Sequence, residues 1–399
     1  MKRLIFLSIL FAGCARASST TCPPASARLL ESVQFLSSEA LAGRMTGSAG
    51  EAKAAAYILG AWPKGGSFGP LLADGYAQGF TFKREGREVA ALNLVSRVKG
   101  TEREWDIVVI GAHYDHLGAG HPGADDNASG TAVLIELAHR FAMNPARRTV
   151  VFAAFSGEEL GILGSKHFVA NLPATYSTVA MLNMDMVGRL RENKLTVLGT
   201  DTSEAWPAIL KQANPGGLAL GMGKGGIGPS DHTSFYLRDI PVLHFFTGSH
   251  LDYHKSGDTA DKVNAEGMAK VADLVEAVAR RVADMADRLP FRKSDADFVP
   301  KETGPPPPGA PPYLGAMPEY GDPSIMVVEA TIPGSPAEKA GIKAKDQFIE
   351  LDGTKVESLQ DYSDRLRAHR AGDEITLKIV REGKEIVLKV TLGARKRQD

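Results

Sequence analysis

His113, Asp115 and His116 fall within four residues in the stretch GAHYDHLG (111–118), directly after the apolar run DIVVI (106–110). Imidazoles at the end of a buried strand suit zinc, and carboxylates suit zinc or harder divalent ions. Asp115, two residues after His113, is placed to accept the other ring N–H and so fix the tautomer and orientation of that imidazole. More carboxylates follow. PGADDNASG (122–130) sets two adjacent aspartates in a glycine-rich turn, a composition equally suited to capping a helix. In SGEE (156–159) the two glutamates leave a strand end on opposite sides of the backbone, so one can bind metal while the other faces the space above it. The same pair also suits a solvated first helical turn. Asp185 ends NMD (183–185), and Tyr253 and His254 stand in HLDYHKSGDT (250–259).

These groups act together only if the fold gathers them. Apolar strand-like runs at 106–112, 148–155, 177–185 and 240–246 alternate with helical patterns at 131–142 and 159–170. Such alternation predicts an α/β domain with a mostly parallel sheet flanked by helices. Every candidate residue follows the carboxyl end of one of these strands, where open α/β sheets form their ligand crevice. Two histidines and several carboxylates converging there define a hydrolytic metal site.

Composition narrows the choice. The 399 residues suffice for a large catalytic domain and a small second one, and 46 basic against 47 acidic residues leave a net charge of −1 with no footprint for nucleic acid. Cys14 and Cys22 are the only cysteines, so thiol catalysis is excluded from the body of the protein. Residues 1–17 read as an export signal: a basic start, the apolar LIFLSILFA (4–12), then FAGC ending at Cys14, which resembles a lipobox, with ARA (15–17) as an ordinary cleavage alternative. The expected location is therefore periplasmic, outer-membrane lipoprotein or secreted. Residues 26–289 form the first domain, closed by an amphipathic helix over 264–289. A proline-rich linker follows at 290–311, then a small domain at 312–393 and a basic tail at 394–399.

The ordered series GAHYDHLG, PGADDNASG, FSGEELGILGS (155–165), NMDMVG (183–188) and YHKSGDT (253–259) resembles the co-catalytic dizinc aminopeptidases, the family of bacterial leucyl aminopeptidase and aminopeptidase Y. The resemblance implies a zinc exopeptidase fold holding two zinc ions. It makes His113 and Asp185 ligands of one ion, Glu159 and His254 ligands of the other, and Asp125 the bridging carboxylate. Glu158 becomes the general base, Asp115 the partner of His113, and Tyr253 the donor to the oxygen of the tetrahedral intermediate. GGIGPSDHTSFY (225–236) resembles the family's loop near the substrate pocket and leaves His232 on the pocket wall. No motif assigns His116, His121, His139, His167, His244, His250 or His369 to metal, and ordinary packing or exposure is expected of them. His116 stands closest to the boundary.

The second domain resembles a bacterial-type PDZ domain, a small α+β fold. Tyr313, Leu314, Gly315 and Ala316 fall in its expected carboxylate-binding loop, PGSPAEKAGIKAKDQFIELDGTKV (333–356) is its most distinctive stretch, and 359–370 reads as the helix beside the groove. Backbone N–H groups of such a loop can hold a C-terminal carboxylate while the peptide adds a strand. A docking module that binds no peptide is the other reading. The leading expectation is thus an extracytoplasmic metallo-aminopeptidase acting on peptides, with a zinc acyltransferase of glutaminyl-cyclase type or a non-catalytic interaction protein as alternatives. About two, one or no metal ions per chain separate the three.

Overall fold

A computed structural model describes residues 23–294, apart from 85 and 215, and residues 312–394, apart from 319–325, 333, 358–360, 363, 364 and 367. The expected export signal with Cys14, most of the proline-rich linker and the end of the basic tail lie outside the described residues. No helix among them is long and apolar enough to cross a membrane.

The first domain is built on a nine-stranded sheet. Its centre is parallel: β5 (Arg148–Phe155), β4 (Arg103–His113), β6 (Ser177–Met184) and β9 (Val242–Phe246) lie side by side in that order. These are the four apolar runs of the sequence. Residues 107–110 and 148–155 are buried throughout, because both sheet faces are covered and the usual in-out alternation has no solvent side. Val108, Ile110, Val150 and Phe152 pack into one core cluster, while Ile107, Val109 and Val151 pack into the other. The first cluster is completed by α1 (Ala25–Leu36), α3 (Gly130–Met143) and α7 (Ala265–Asp284), the second by Phe168 of α4 (Leu163–Ala170) and Phe235 of α6 (His232–Tyr236).

On either side of this centre the sheet turns antiparallel. On one side β3 (Arg87–Val98) pairs antiparallel with β5 and carries β2 (Ala77–Arg84) and β1 (Phe68–Pro70). On the other, β7 (Lys194–Leu198) pairs antiparallel with β9 and parallel with β8 (Ala219–Met222). The helices α2 (Ala49–Ala61) and α5 (Trp206–Gln212) complete the covering, through Ile58 and Trp206 among others.

Two predicted helices of this domain are shorter than expected. The helix expected from 159 begins at Leu163, because the amides of Gly161 and Ile162 both turn back onto the Glu158 carbonyl and both residues take positive φ, 105° and 55°. The helix expected over 264–289 is capped by Asn264, whose side chain accepts from Gly267 N, and ends at Asp284. There the buried Arg148 guanidinium donates to the carbonyls of Val282 and Met285.

The second domain has its own apolar core, with Val328, Phe348, Leu351, Ile375, Leu377 and Ile379 buried together. β13 (Gln347–Leu351), β15 (Glu374–Arg381) and β16 (Lys384–Thr391) run antiparallel, and β12 (Met326–Thr331) joins β13. Beside β12 lies β11 (Ala316–Pro318), β14 (Thr354–Lys355) pairs with β13, and the short α8 (Pro336–Lys339) is capped by Ser335. β10 (Pro312–Tyr313) pairs with β17 (Gly393–Ala394), joining the two ends of the domain. In the expected carboxylate loop Leu314 is buried, and its carbonyl and that of Gly315 accept from Ala337 N and Ile332 N. Gly315 has φ 80°, and a Cβ there would stand 2.3 Å from the Ser335 side chain. Of the predicted groove helix, residues 361, 362, 365 and 366 are helical, whereas 368–370 form a turn and leave the helix short of its expected end.

Candidate metal centre

Four strand ends and one turn supply the site. His113 is the last residue of β4, Glu158 and Glu159 follow β5 after Gly157, Asp185 follows β6, and His254 lies in the turn after β9. The turn is Ala124–Ser129, entered from Gly123 in the left-handed region (φ 60°) and leaving helical geometry at Asp126 and Asn127. That departure turns the Asp126 carboxylate inward.

The side chains form two linked groups. In the first, His113 Nε2 lies 3.3 Å from Asp185 Oδ1, 3.4 Å from Asp126 Oδ1 and 3.9 Å from Glu158 Oε2. In the second, His254 Nε2 lies 3.1 Å from Asp126 Oδ2 and 3.2 Å from Glu159 Oε2. Asp126 thus gives one oxygen to each group. Asp115 stands behind both: its Oδ1 lies 3.7 Å from His113 Nδ1 and accepts from Glu158 N, while its Oδ2 accepts from Glu159 N (3.4 Å) and Thr46 Oγ1 (2.8 Å).

One expectation is corrected. The carboxylate between the two histidines belongs to Asp126, not Asp125. Asp125 Oδ1 accepts from Gly188 N (2.6 Å) and Ser129 Oγ (3.1 Å), and its Oδ2 lies 3.1 Å from His250 Nε2. These partners lie on the other side of the turn and hold Asp125 in a supporting position. Adjacent aspartates in one loop carry no spacing signal that separates them; the backbone geometry at Asp126 does.

Further residues escaped sequence reasoning. Asp258, quoted within YHKSGDT without a role, accepts the amides of Asp125 (2.9 Å) and Asp126 (3.0 Å) on Oδ2, and Arg189 donates to its Oδ1 (2.9 Å). Its motif was visible; its partner was not. Arg44 is fully buried and donates to the carbonyls of Leu36, Tyr114, Pro122 and Gly123 at 2.6–3.0 Å. Burial pulls its guanidinium down to about 10, with Asp126 and Asp115 opposing, so it stays charged at neutral pH. Next to it, Gly43 permits a close approach: a Cβ there would stand 1.9 Å from the Gly118 carbonyl oxygen. No periodicity announces such a residue pair. His116, expected to be ordinary packing, has its Nδ1 2.6 Å from Glu159 Oε1. His232 stacks on His244 with ring centroids 4.5 Å apart and belongs to neither group.

Electrostatics follow from the crowding of carboxylates around the two histidines. Burial would lower the His113 pKa, yet Glu158 and Asp185 outweigh it and hold the ring well above its ordinary value. Burial holds Glu158 well above the carboxylate range, His113 opposing and Asp185 and Glu159 adding to it. Burial, reinforced by Asp126 and Glu159, keeps the Tyr253 phenol protonated, and its ring stacks on His254 at 3.8 Å. Asp126, Glu159 and Asp185 thus crowd a space where protons on His113 and His254 compensate, the latter ring, against its burial, pushed up to about 10 by Asp126 and Glu159. Divalent cations fit that donor set. His113, Glu158 and Asp185 offer one group of ligand atoms within reach of a single ion, and His116, Asp126 and Glu159 another.

Residues 93–279 match peptidase family M28, and residues 312–392 match the PDZ domain. The chain is 32% identical over 185 residues to aminopeptidase YwaD of Bacillus subtilis, a match covering 43% of this chain and 40% of that protein. It therefore spans well under two thirds of that relative's length. The structure superposes on the LapA aminopeptidase of Legionella pneumophila with a TM-score of 0.55 at 23% identity, over 66% of this chain and 73% of that one. An Acidobacteriales glutaminyl cyclase gives a TM-score of 0.54 at 22% identity, over 68% and 99%. At such identities these two likenesses establish the fold alone.

Proposed function

We propose that the chain is a zinc-dependent aminopeptidase that holds two ions, one by His113, Asp126 and Asp185 and the other by Asp126, Glu159 and His254. The observation carrying this reading is Asp126, whose two oxygens face His113 and His254 separately. Support comes from the match of residues 93–279 to peptidase family M28 and from a relative named as an aminopeptidase. When bound, the two ions supply Lewis acidity to the scissile carbonyl and lower the pKa of the attacking water. Glu158, held protonated by burial beside Asp185 and Glu159, would take the ionised form that a base requires once bound cations favoured it.

Glu158 then takes the proton of the water at its carboxylate and passes it to the departing amine. Its amide is fixed by Asp115 Oδ1, which anchors the strand end from which the side chain projects. Tyr253, held protonated, donates its hydroxyl to the developing oxyanion. Asp115 orients His113, whose Nδ1 lies 3.3 Å from the Asp115 carbonyl and 3.7 Å from its carboxylate. Export by residues 1–17, with Cys14 as a lipid attachment point, and capture of a peptide carboxylate by the loop at Tyr313–Ala316 extend the same reading.

The test is a metal count combined with product sequencing. Purified protein should carry about two zinc ions, lose hydrolysis on chelation and regain it with zinc, and release single residues from peptide N-termini. A single ion with cyclised N-terminal glutamine as product would support the acyltransferase reading and overturn this one.

A further inference from the structure

We propose that His116 is a positioning residue that restricts Glu159 to ligation through one oxygen. The inference rests on the two-ion reading above. Glu159 divides its oxygens between two imidazoles: Oε2 lies 3.2 Å from His254 Nε2, in the space shared with Asp126 Oδ2, while Oε1 lies 2.6 Å from His116 Nδ1. The position between Asp126, Glu159 and His254 is thus reached by Oε2 alone. Oε1 is occupied by a ring N–H.

The ring is locked where it stands. His116 is 1% exposed, its backbone N–H donates to the Arg44 carbonyl at 3.1 Å, and its edges meet the rings of His254 and His121 at centroid distances of 5.9 and 6.4 Å. It also presses on Gly123, where a Cβ would stand 2.5 Å from the ring. Nε2 is buried with no hydrogen-bond partner among the described residues. With a carboxylate at Nδ1 and nothing to accept at Nε2, the tautomer that fits carries its proton on Nδ1 and donates to Oε1.

A carboxylate free to swing can chelate through both oxygens and fill a coordination position. One tethered through its second oxygen cannot, and the ion keeps an open position for water or substrate. On the first ion Asp115 orients a histidine ligand; on the second, the roles are exchanged and a histidine orients a carboxylate ligand. Partners of this kind are worth about 10- to 100-fold in metal affinity.

The experiment compares full-length wild type with His116→Ala, His116→Asn and His116→Gln, measuring zinc affinity by chelator competition and zinc coordination by X-ray absorption. The Asn amide stands near the position of Nδ1, whereas the Gln amide reaches toward Nε2. His116→Ala and His116→Gln should still fill both positions at saturating zinc but hold one ion about 10- to 100-fold more weakly, and His116→Asn should recover most of the loss. Wild type and variants should all show about one imidazole per zinc, those of His113 and His254. If His116→Ala fails to fold, the Asn and Gln pair decides. The proposal is overturned if wild type shows an extra imidazole on one zinc that His116→Ala removes, which would make His116 a ligand, or if the Ala or Gln variant binds both ions as tightly as wild type. A wild type holding fewer than two ions would overturn the two-ion reading itself, a result visible before any variant is made.

Discussion

Asp125 and Asp126, adjacent in the chain, face opposite ways: Asp126 looks at His113 and His254, while Asp125 looks at Gly188, Ser129 and His250. Asp126→Asn should therefore lose zinc, with affinity and activity falling together. Asp125→Asn keeps a side-chain oxygen for Gly188 and Ser129 and should retain both ions. Elemental analysis of the two variants after dialysis checks this, and the reverse pattern would return the shared position to Asp125.

Glu158 and Glu159 should separate in the same way. Glu158→Gln keeps the shape and removes the base, so metal content should survive while kcat falls by roughly two to four orders of magnitude with a modest change in KM. Glu159→Ala should lose affinity for one ion. Steady-state kinetics alongside a zinc titration distinguishes them, and loss of metal from Glu158→Gln alone would exchange their roles.

Arg44 joins segments 114, 122 and 123 to the end of α1 through four carbonyls. Arg44→Met strands those acceptors in the interior and should cost about 3 kcal/mol or more. Arg44→Lys brings a single ammonium in place of a planar fork and should recover only part of it. Urea unfolding at constant slope reads the difference. Full stability in the Lys variant would show that charge alone suffices.

Glu51 is buried, accepts from Gly47 N and Ser156 Oγ, and is pushed up to about 8 by burial and by Asp115. The unfolded chain releases this proton near the ordinary glutamate value, and the folded chain keeps it. Between those two values the native state holds the extra proton, so the contribution of Glu51 is fully present at low pH and is lost as pH rises toward 8. Glu51→Gln removes the titration. The stability of wild type relative to this variant should fall with rising pH between about 5 and 8, by at most about 1.4 kcal/mol per pH unit. A difference independent of pH would show that Glu51 is ionised throughout.

The central strands were legible because burial on both faces writes itself as an unbroken apolar run, and β4, β5, β6 and β9 stand where those runs fall. Strand ends then placed His113, Glu158, Glu159 and Asp185 together. What stayed hidden depended on backbone shape rather than residue type. The choice between Asp125 and Asp126 is made by φ and ψ at Asp126, and the late start of α4 by positive φ at Gly161 and Ile162. Asp258 and Arg44 act through contacts with residues far away in the chain, 132 positions in one case and 79 in another. His116 is separated from Glu159 by 43 positions, and no local pattern announces the meeting.

The pairing of β10 with β17 brings the chain into and out of the PDZ unit at one point, Tyr313 opposite Gly393. Topologically the unit is a pendant: a sequence can acquire, lose or exchange it at a single seam without cutting a strand of the domain to which it is joined. The adjacent termini also make it a natural cassette, able to be inserted into the loop of another protein as readily as appended to its end.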